Sequence, residues 1–146
     1  MTKSVVSIVL VEDDDIDAAA VERAIDRARI GNPIVRAHDG AEALDMLLGT
    51  NGMARLDQPY LLLVDIRMPR LDGLDLIRAI RAHPLLHSTI VFILTSSDND
   101  RDVIAAYNAN VAGYIVKSSD IQYLKLASML DYYLMIVTPP LPANAA

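Results

Sequence analysis

Five short apolar runs punctuate the chain, at residues 5–11, Ile34–Ala37, Tyr60–Val64, 90–94 and 112–116. The run Tyr60-Leu61-Leu62-Leu63-Val64 has no polar break, the pattern of a strand buried on both faces in a parallel sheet. Between the runs the apolar positions shift to a helical period. Residues 15–29 place Ala20, Val21, Ala24, Ile25 and Ala28 on one face and Glu22, Arg23, Asp26 and Arg27 on the other. Residues 41–48 repeat Ala43, Leu44, Leu47 and Leu48; a third helix carries Leu74, Ile77 and Ile80, and a fourth Val103, Ile104, Ala106 and Tyr107. The last helix spans residues 119–137. Strands alternating with helices predict an α/β fold, a doubly wound (βα)5 sandwich around a five-stranded parallel sheet.

The last helix is apolar most of the way round. Ile121, Leu124, Ala127, Leu130, Leu134 and Val137 are read as its core face, while Tyr123, Leu126, Met129, Tyr133 and Ile136 form a second band. A second apolar band calls for a partner, and a symmetric homodimer through this helix and its extension is the expectation. Residues 1–138 are read as one domain and residues 139–146, opening Pro139-Pro140-Leu141-Pro142, as a proline-rich tail. Residues 50–59 form the one long loop.

Composition narrows the function. The formal net charge is −6 and the 13 Lys and Arg residues are scattered, which argues against direct nucleic-acid binding. No apolar run approaches a membrane span, and the first run ends in acids rather than a signal-peptide cleavage site, so a cytoplasmic location is expected. The absence of cysteine excludes disulfides and thiolate metal sites. No phosphate-binding glycine loop follows the first strand, which disfavours nucleotide binding. His38, His83 and His87 have no ligand spacing and are read as surface residues.

The candidate chemistry lies at the strand ends. The first strand ends in Glu12-Asp13-Asp14-Asp15, the third in Asp65, the fourth in Thr95-Ser96-Ser97 and the fifth in Lys117-Ser118. In a parallel sheet these ends share one edge, where such sheets bind ligands. Clustered carboxylates require a cation, and an oxygen-only donor set suits Mg2+. Asp65 could then attack a phosphoryl group, with Lys117 and Thr95 holding its oxygens. Each residue also has a plainer reading taken alone: the acids after the first strand as helix caps, Asp14 or Asp15 foremost, Thr95 as a capping hydroxyl, Lys117 as a solvated lysine and Tyr114 as packing.

Taken in order, Val11-Glu12-Asp13, the strand ending in Asp65, Met68-Pro69-Arg70-Leu71-Asp72-Gly73, Thr95-Ser96 and Gly113-Tyr114-Ile115-Val116-Lys117 resemble the receiver domains of two-component response regulators. The loop at residues 49–59, Asp102-Val103-Ile104-Ala105 with Tyr107, Lys117-Ser118 and Val137-Thr138-Pro139-Pro140 resemble the stand-alone regulators of cyanobacterial and bacterial phytochromes. The resemblance implies a flavodoxin-like sheet in order 2-1-3-4-5 and Asp65 as phosphoacceptor for a sensor histidine kinase, with a bacteriophytochrome as the kinase that the second set of matches implies. It implies Mg2+ ligated by Asp13, Asp65 and the Arg67 backbone carbonyl, with Glu12 helping through water. Thr95 and Lys117 would contact the phosphoryl oxygens, and Thr95 and Tyr114 would switch the face of helix four, strand five and helix five. The signal would leave to a downstream protein or a phosphorelay, without turnover of an external substrate. Most receivers carry Lys-Pro where this chain has Lys117-Ser118, which leaves the geometry of that peptide bond open, and Arg67 adds a basic side chain beside the acceptor. A non-phosphorylated, dimeric interaction module of the same fold is the alternative. A phosphatase with an aspartyl-phosphate intermediate would need an acid where Arg67 stands.

Overall fold

The computed structural model describes residues 5–117 and 120–141, with ten elements in strict alternation. They are β1 (Ser7–Val11), α1 (Asp15–Arg27), β2 (Ile34–Ala37), α2 (Gly40–Leu48), β3 (Tyr60–Val64), α3 (Gly73–Ala82), β4 (Ile90–Thr95), α4 (Asp100–Asn108), β5 (Gly113–Val116) and α5 (Asp120–Ile136). All pairings are parallel and the sheet order is β2-β1-β3-β4-β5, as the sequence pattern and the resemblance required. The Lys117-Ser118 peptide bond lies outside the described residues, as does the tail beyond residue 141.

Both faces of the sheet are covered, which explains the unbroken apolar strands. Val9, Val11, Leu62, Val64, Val91 and Ile93 point into one core, where Leu47, Leu76, Ile77 and Ile80 of α2 and α3 join them. Their alternate neighbours Ile8, Leu10, Leu61, Leu63, Phe92 and Leu94 point into the other, closed by Val21 and Ile25 of α1 and Leu126 and Leu130 of α5. Phe92 meets Tyr133 edge to face at 5.3 Å between ring centroids.

Helix boundaries follow their caps. Asp14, Asp39 and Asp72 each accept a backbone N–H three residues on, which opens α1, α2 and α3. α2 stops at Gly49, in the left-handed conformation at φ 69°. α1 stops earlier than its apolar pattern because Arg29 takes the same conformation, at φ 57°.

The phase of α5 corrects the sequence reading. Leu126, Ala127 and Leu130 are buried, with Tyr123, Met129, Tyr133 and Leu134 packed beside them. Leu124 and Val137, assigned to the core from sequence, are exposed at 48% and 36%. A helix apolar most of the way round carries too weak a periodic signal to set its own rotation. Its outward side bears Tyr132, Met135 and Ile136. After α5 the chain turns back, and Pro140 and Leu141 line a small cleft with Gln58, Pro59, Tyr60 and Thr89.

The loop from β3 to α3 is drawn tight. Gly73 donates its N–H to the Ile66 carbonyl, and a Cβ built on it would sit 2.2 Å from the Asp65 carbonyl oxygen. Arg70 takes the left-handed conformation at φ 66°, bridged by a hydrogen bond from Leu71 N–H to the Pro69 carbonyl. Gly73→Ala must therefore push the acceptor loop off its helix. It is expected to destabilise the domain by about 1–3 kcal/mol in urea unfolding, and a change below about 0.5 kcal/mol would show that the contact is not tight.

Candidate functional site

Backbone hydrogen bonds continue the sheet one residue past each strand. The N–H of Glu12 donates to the Ala37 carbonyl, that of Asp65 to Val11 and that of Lys117 to Thr95. Each residue thus leaves its strand with its main chain still fixed by a neighbour. Val64 pairs with Ile93, so Asp65 lies level with Leu94 and one residue short of Thr95. The carboxyl edge predicted from sequence is formed.

Lys117 is the centre of this edge. Its ammonium donates to Glu12 Oε1, to Asp17 Oδ2 at 3.0 Å and to Asp65 Oδ2 at 3.3 Å. The lysine side chain is only 8% exposed. Burial alone would lower its pKa, but the hydrogen bond to Glu12, the Asp65 charge and Asp17 together hold it above the ordinary lysine value. Lys117 is therefore held as the ammonium. Glu12 is the weak acid of the group: burial pushes it up to about 7, the Asp65 charge adds to this, and the Lys117 hydrogen bond opposes it.

One ammonium does not balance these acids. Carboxylate oxygens of Glu12, Asp13 and Asp65 lie within 4.8 Å of one another, with Glu12 and Asp65 buried and Asp13 exposed. Asp65 Oδ1 is buried and, among the described residues, is the one buried side-chain polar atom lacking a hydrogen-bond partner. A lone pair left unsatisfied inside a negative cluster fits a hard divalent cation with oxygen ligands.

The remaining predicted residues also fall on this edge. Thr95 is fully buried, and its hydroxyl oxygen receives a long hydrogen bond from Ser97 N–H at 3.4 Å. Tyr114 is half-buried; its hydroxyl donates to the Ser97 carbonyl at 2.7 Å, and burial raises its pKa. The Arg67 side chain reaches Asp102 at 3.2 Å. Asp14, one of the two caps proposed for α1, is the residue that caps it. His38 and His87 are exposed, while His83 is half-buried at the end of α3 and accepts the Leu85 N–H.

Sequence reasoning missed two participants. Asp17 stands three residues after the Asp14 cap, a spacing that reads as a capping box, yet its carboxylate turns to Lys117. Arg36 on β2 donates from Nε and Nη2 to the Glu12 carbonyl at 3.1 and 2.9 Å, and from Nη1 to Asp15 at 2.7 Å. It braces the acidic turn from the side. Nothing in a lone strand arginine signals that role.

Comparison with known proteins settles the family. The profile of the response regulator receiver domain matches residues 8–128. The chain belongs to the receiver domains of two-component signalling. This receiver domain is 31% identical over 135 residues to the response regulator Rcp1 of Synechocystis sp. (strain ATCC 27184 / PCC 6803 / Kazusa), covering 91% of this chain and 92% of Rcp1. Its fold is similar to that of the phosphorylated cyanobacterial phytochrome response regulator RcpA, with TM-score 0.85, 27% identity and 94% and 100% of the two chains covered. It is also similar to the Mn2+-bound form of Rcp1, with TM-score 0.84, 29% identity and coverage of 92% and 99%. Among the described residues, no helix of the receiver domain is long and apolar enough to cross a membrane.

The acidic edge of this receiver domain is electrostatically overloaded when no cation is bound. Asp65→Asn should remove a like charge beside buried Glu12 and stabilise the protein by about 1 kcal/mol in chelator-treated buffer, the scale of one pKa unit of repulsion. Urea unfolding with and without Mg2+ measures this. The gap between variant and wild type should narrow as Mg2+ stabilises the wild type, and a variant less stable than metal-free wild type would refute the repulsion.

Proposed function

We propose that this protein is a phosphorylation-dependent signalling switch in which Asp65 accepts a phosphoryl group from a sensor histidine kinase. The observation that carries this reading is the state of the Asp65 carboxylate. One oxygen is held by Lys117 at 3.3 Å, the other is buried without a partner, and the carboxylate belongs to one acidic cluster with Glu12 and Asp13. A structural aspartate would have both oxygens satisfied; this one is left short of positive charge.

Glu12, Asp13 and Asp65 would hold Mg2+, with the Arg67 backbone carbonyl as a further ligand. Bound there, the ion supplies neutralising charge to the oxygens of the group in transfer. Asp65 attacks phosphorus, the bond from phosphorus to the donor nitrogen breaks, and the imidazole leaves with the electron pair. Lys117, already protonated, remains a fixed cation beside the new acyl phosphate. Thr95, at the end of β4, offers its hydroxyl to a phosphoryl oxygen by leaving the Ser97 N–H, a long bond that is cheap to give up.

Movement of Thr95 would be felt by Ser97 and hence by Tyr114, whose hydroxyl is anchored on the Ser97 carbonyl. This links the acceptor to α4, β5 and α5, where Ile104, Tyr107, Tyr132, Met135 and Ile136 are exposed. We assign the α5 side to a second copy of the chain and the signal output to a separate protein or phosphorelay. The likeness to Rcp1 and RcpA supports a phytochrome as the kinase. Turnover of an external substrate is not part of this role.

Phosphotransfer decides between this reading and a receiver-shaped interaction module that does not use the chemistry. Wild type should take label from acetyl phosphate or a phosphorylated kinase with Mg2+, the label should be lost with chelator, and Asp65→Asn should take none. Labelling of Asp65→Asn equal to wild type would overturn the assignment, and an unlabelled wild type would favour the module. Light scattering tests the assembly: Ile136→Glu should convert a dimer to a monomer without changing labelling by acetyl phosphate, and a wild-type monomer at all concentrations would refute the α5 interface.

A further inference from the structure

Arg67 stands two residues beyond Asp65, but its guanidinium is paired with another acid. Its Nη2 donates to Asp102 Oδ2, in the first turn of α4, at 3.2 Å. The two partners differ in freedom. Arg67 is 70% exposed and Asp102 only 17%. Asp102 is also anchored, because the same Oδ2 accepts the Ser97 hydroxyl at 2.6 Å. Ser97 in turn receives the Tyr114 hydroxyl on its carbonyl. Asp102 is the fixed post and Arg67 the tethered arm.

An exposed ion pair of this kind holds weakly, so the arm divides its time among the anions it can reach. Two residues of extended chain span at most about 7 Å, within the length of an arginine side chain. An aspartyl phosphate at Asp65 would place a group of roughly −2 charge with strong acceptor oxygens in that range. A guanidinium on those oxygens stabilises the charge of a loose phosphoryl transition state. In that reaction water attacks phosphorus and the bond from phosphorus to the Asp65 oxygen breaks. Its electron pair stays on the restored carboxylate, and inorganic phosphate leaves with the proton shed to solvent.

We propose that Asp102 is a positioning residue for the acceptor site, tethering Arg67 away from a phosphoryl group on Asp65 and so prolonging that group's life. This rests on the phosphoacceptor reading of Asp65. It gives α4 control over signal decay: a partner that draws Asp102 aside releases the arginine onto the acyl phosphate.

The test is the decay of labelled protein after removal of acetyl phosphate, with Mg2+ present, in wild type, Asp102→Asn, Asp102→Glu, Arg67→Ala and the double variant Arg67→Ala/Asp102→Asn. Asp102→Asn should decay about two- to fivefold faster, the range a surface ion pair supports, while Asp102→Glu stays near wild type. The double variant should match Arg67→Ala, with no acceleration left. Decay of Asp102→Asn equal to wild type overturns the proposal. So does acceleration that persists without Arg67, which would trace it to a loosened α4. If wild type takes no label, the phosphoacceptor reading fails and this proposal with it; a labelled wild type with no acceleration in Asp102→Asn overturns this proposal alone.

Discussion

The Lys117 ammonium is shared by Glu12, Asp17 and Asp65, side chains delivered by three separate segments of the chain. Folding a parallel sheet brings the ends of β1, β3 and β5 onto one edge whether or not their charges agree. Here they would not agree without the lysine. A buried amine among carboxylates costs desolvation on both sides and is repaid only when its donors are filled. Lys117 fills all three. The lysine thus allows the acidic edge to exist, and because it is outnumbered it leaves the edge short of positive charge. That shortfall is a stability loss concentrated where chemistry needs a cation, the usual way a functional site departs from the best-folded sequence.

Much of this edge was legible in advance because parallel topology is a strong constraint. Once Tyr60–Val64 is read as a buried strand, Asp65 has nowhere to go but the carboxyl edge. Glu12, Thr95 and Lys117 follow by the same argument from their own strands. Asp17 was not legible: three residues after an N-cap, an acid has a sufficient local explanation and attracts no other. Arg36 and the Arg67–Asp102 pair were hidden for a different reason. They join positions 24 and 35 residues apart through an arginine side chain in each case, and neither hydrophobic period nor strand order fixes such pairs.

The rotation of α5 failed for a third reason. Its sequence is apolar over so much of the circumference that several phases bury similar area, and only the shape of the sheet face selects among them. Phe92 makes that selection, with Tyr133 set edge-on against it and Leu126 and Leu130 seated beside it. The consequence is an outward band made of Tyr132, Met135 and Ile136, on a helix that also carries the exposed Leu124. The tail adds Leu141, exposed at 77%. Surface of this composition is expensive to leave in water over a whole helix.

Gly73 sets the mechanical character of the whole device. With the start of α3 pressed against the Asp65 carbonyl and the Asp65 N–H held by Val11, the acceptor is clamped on both sides. It behaves as a rigid mount rather than a lever. Any work done by adding bulk and charge there must be passed outward to the softer side, where the Thr95–Ser97 contact is long and Arg67 is loosely held. Stiffness at one strand end and compliance at the next give the displacement a direction before any partner is present.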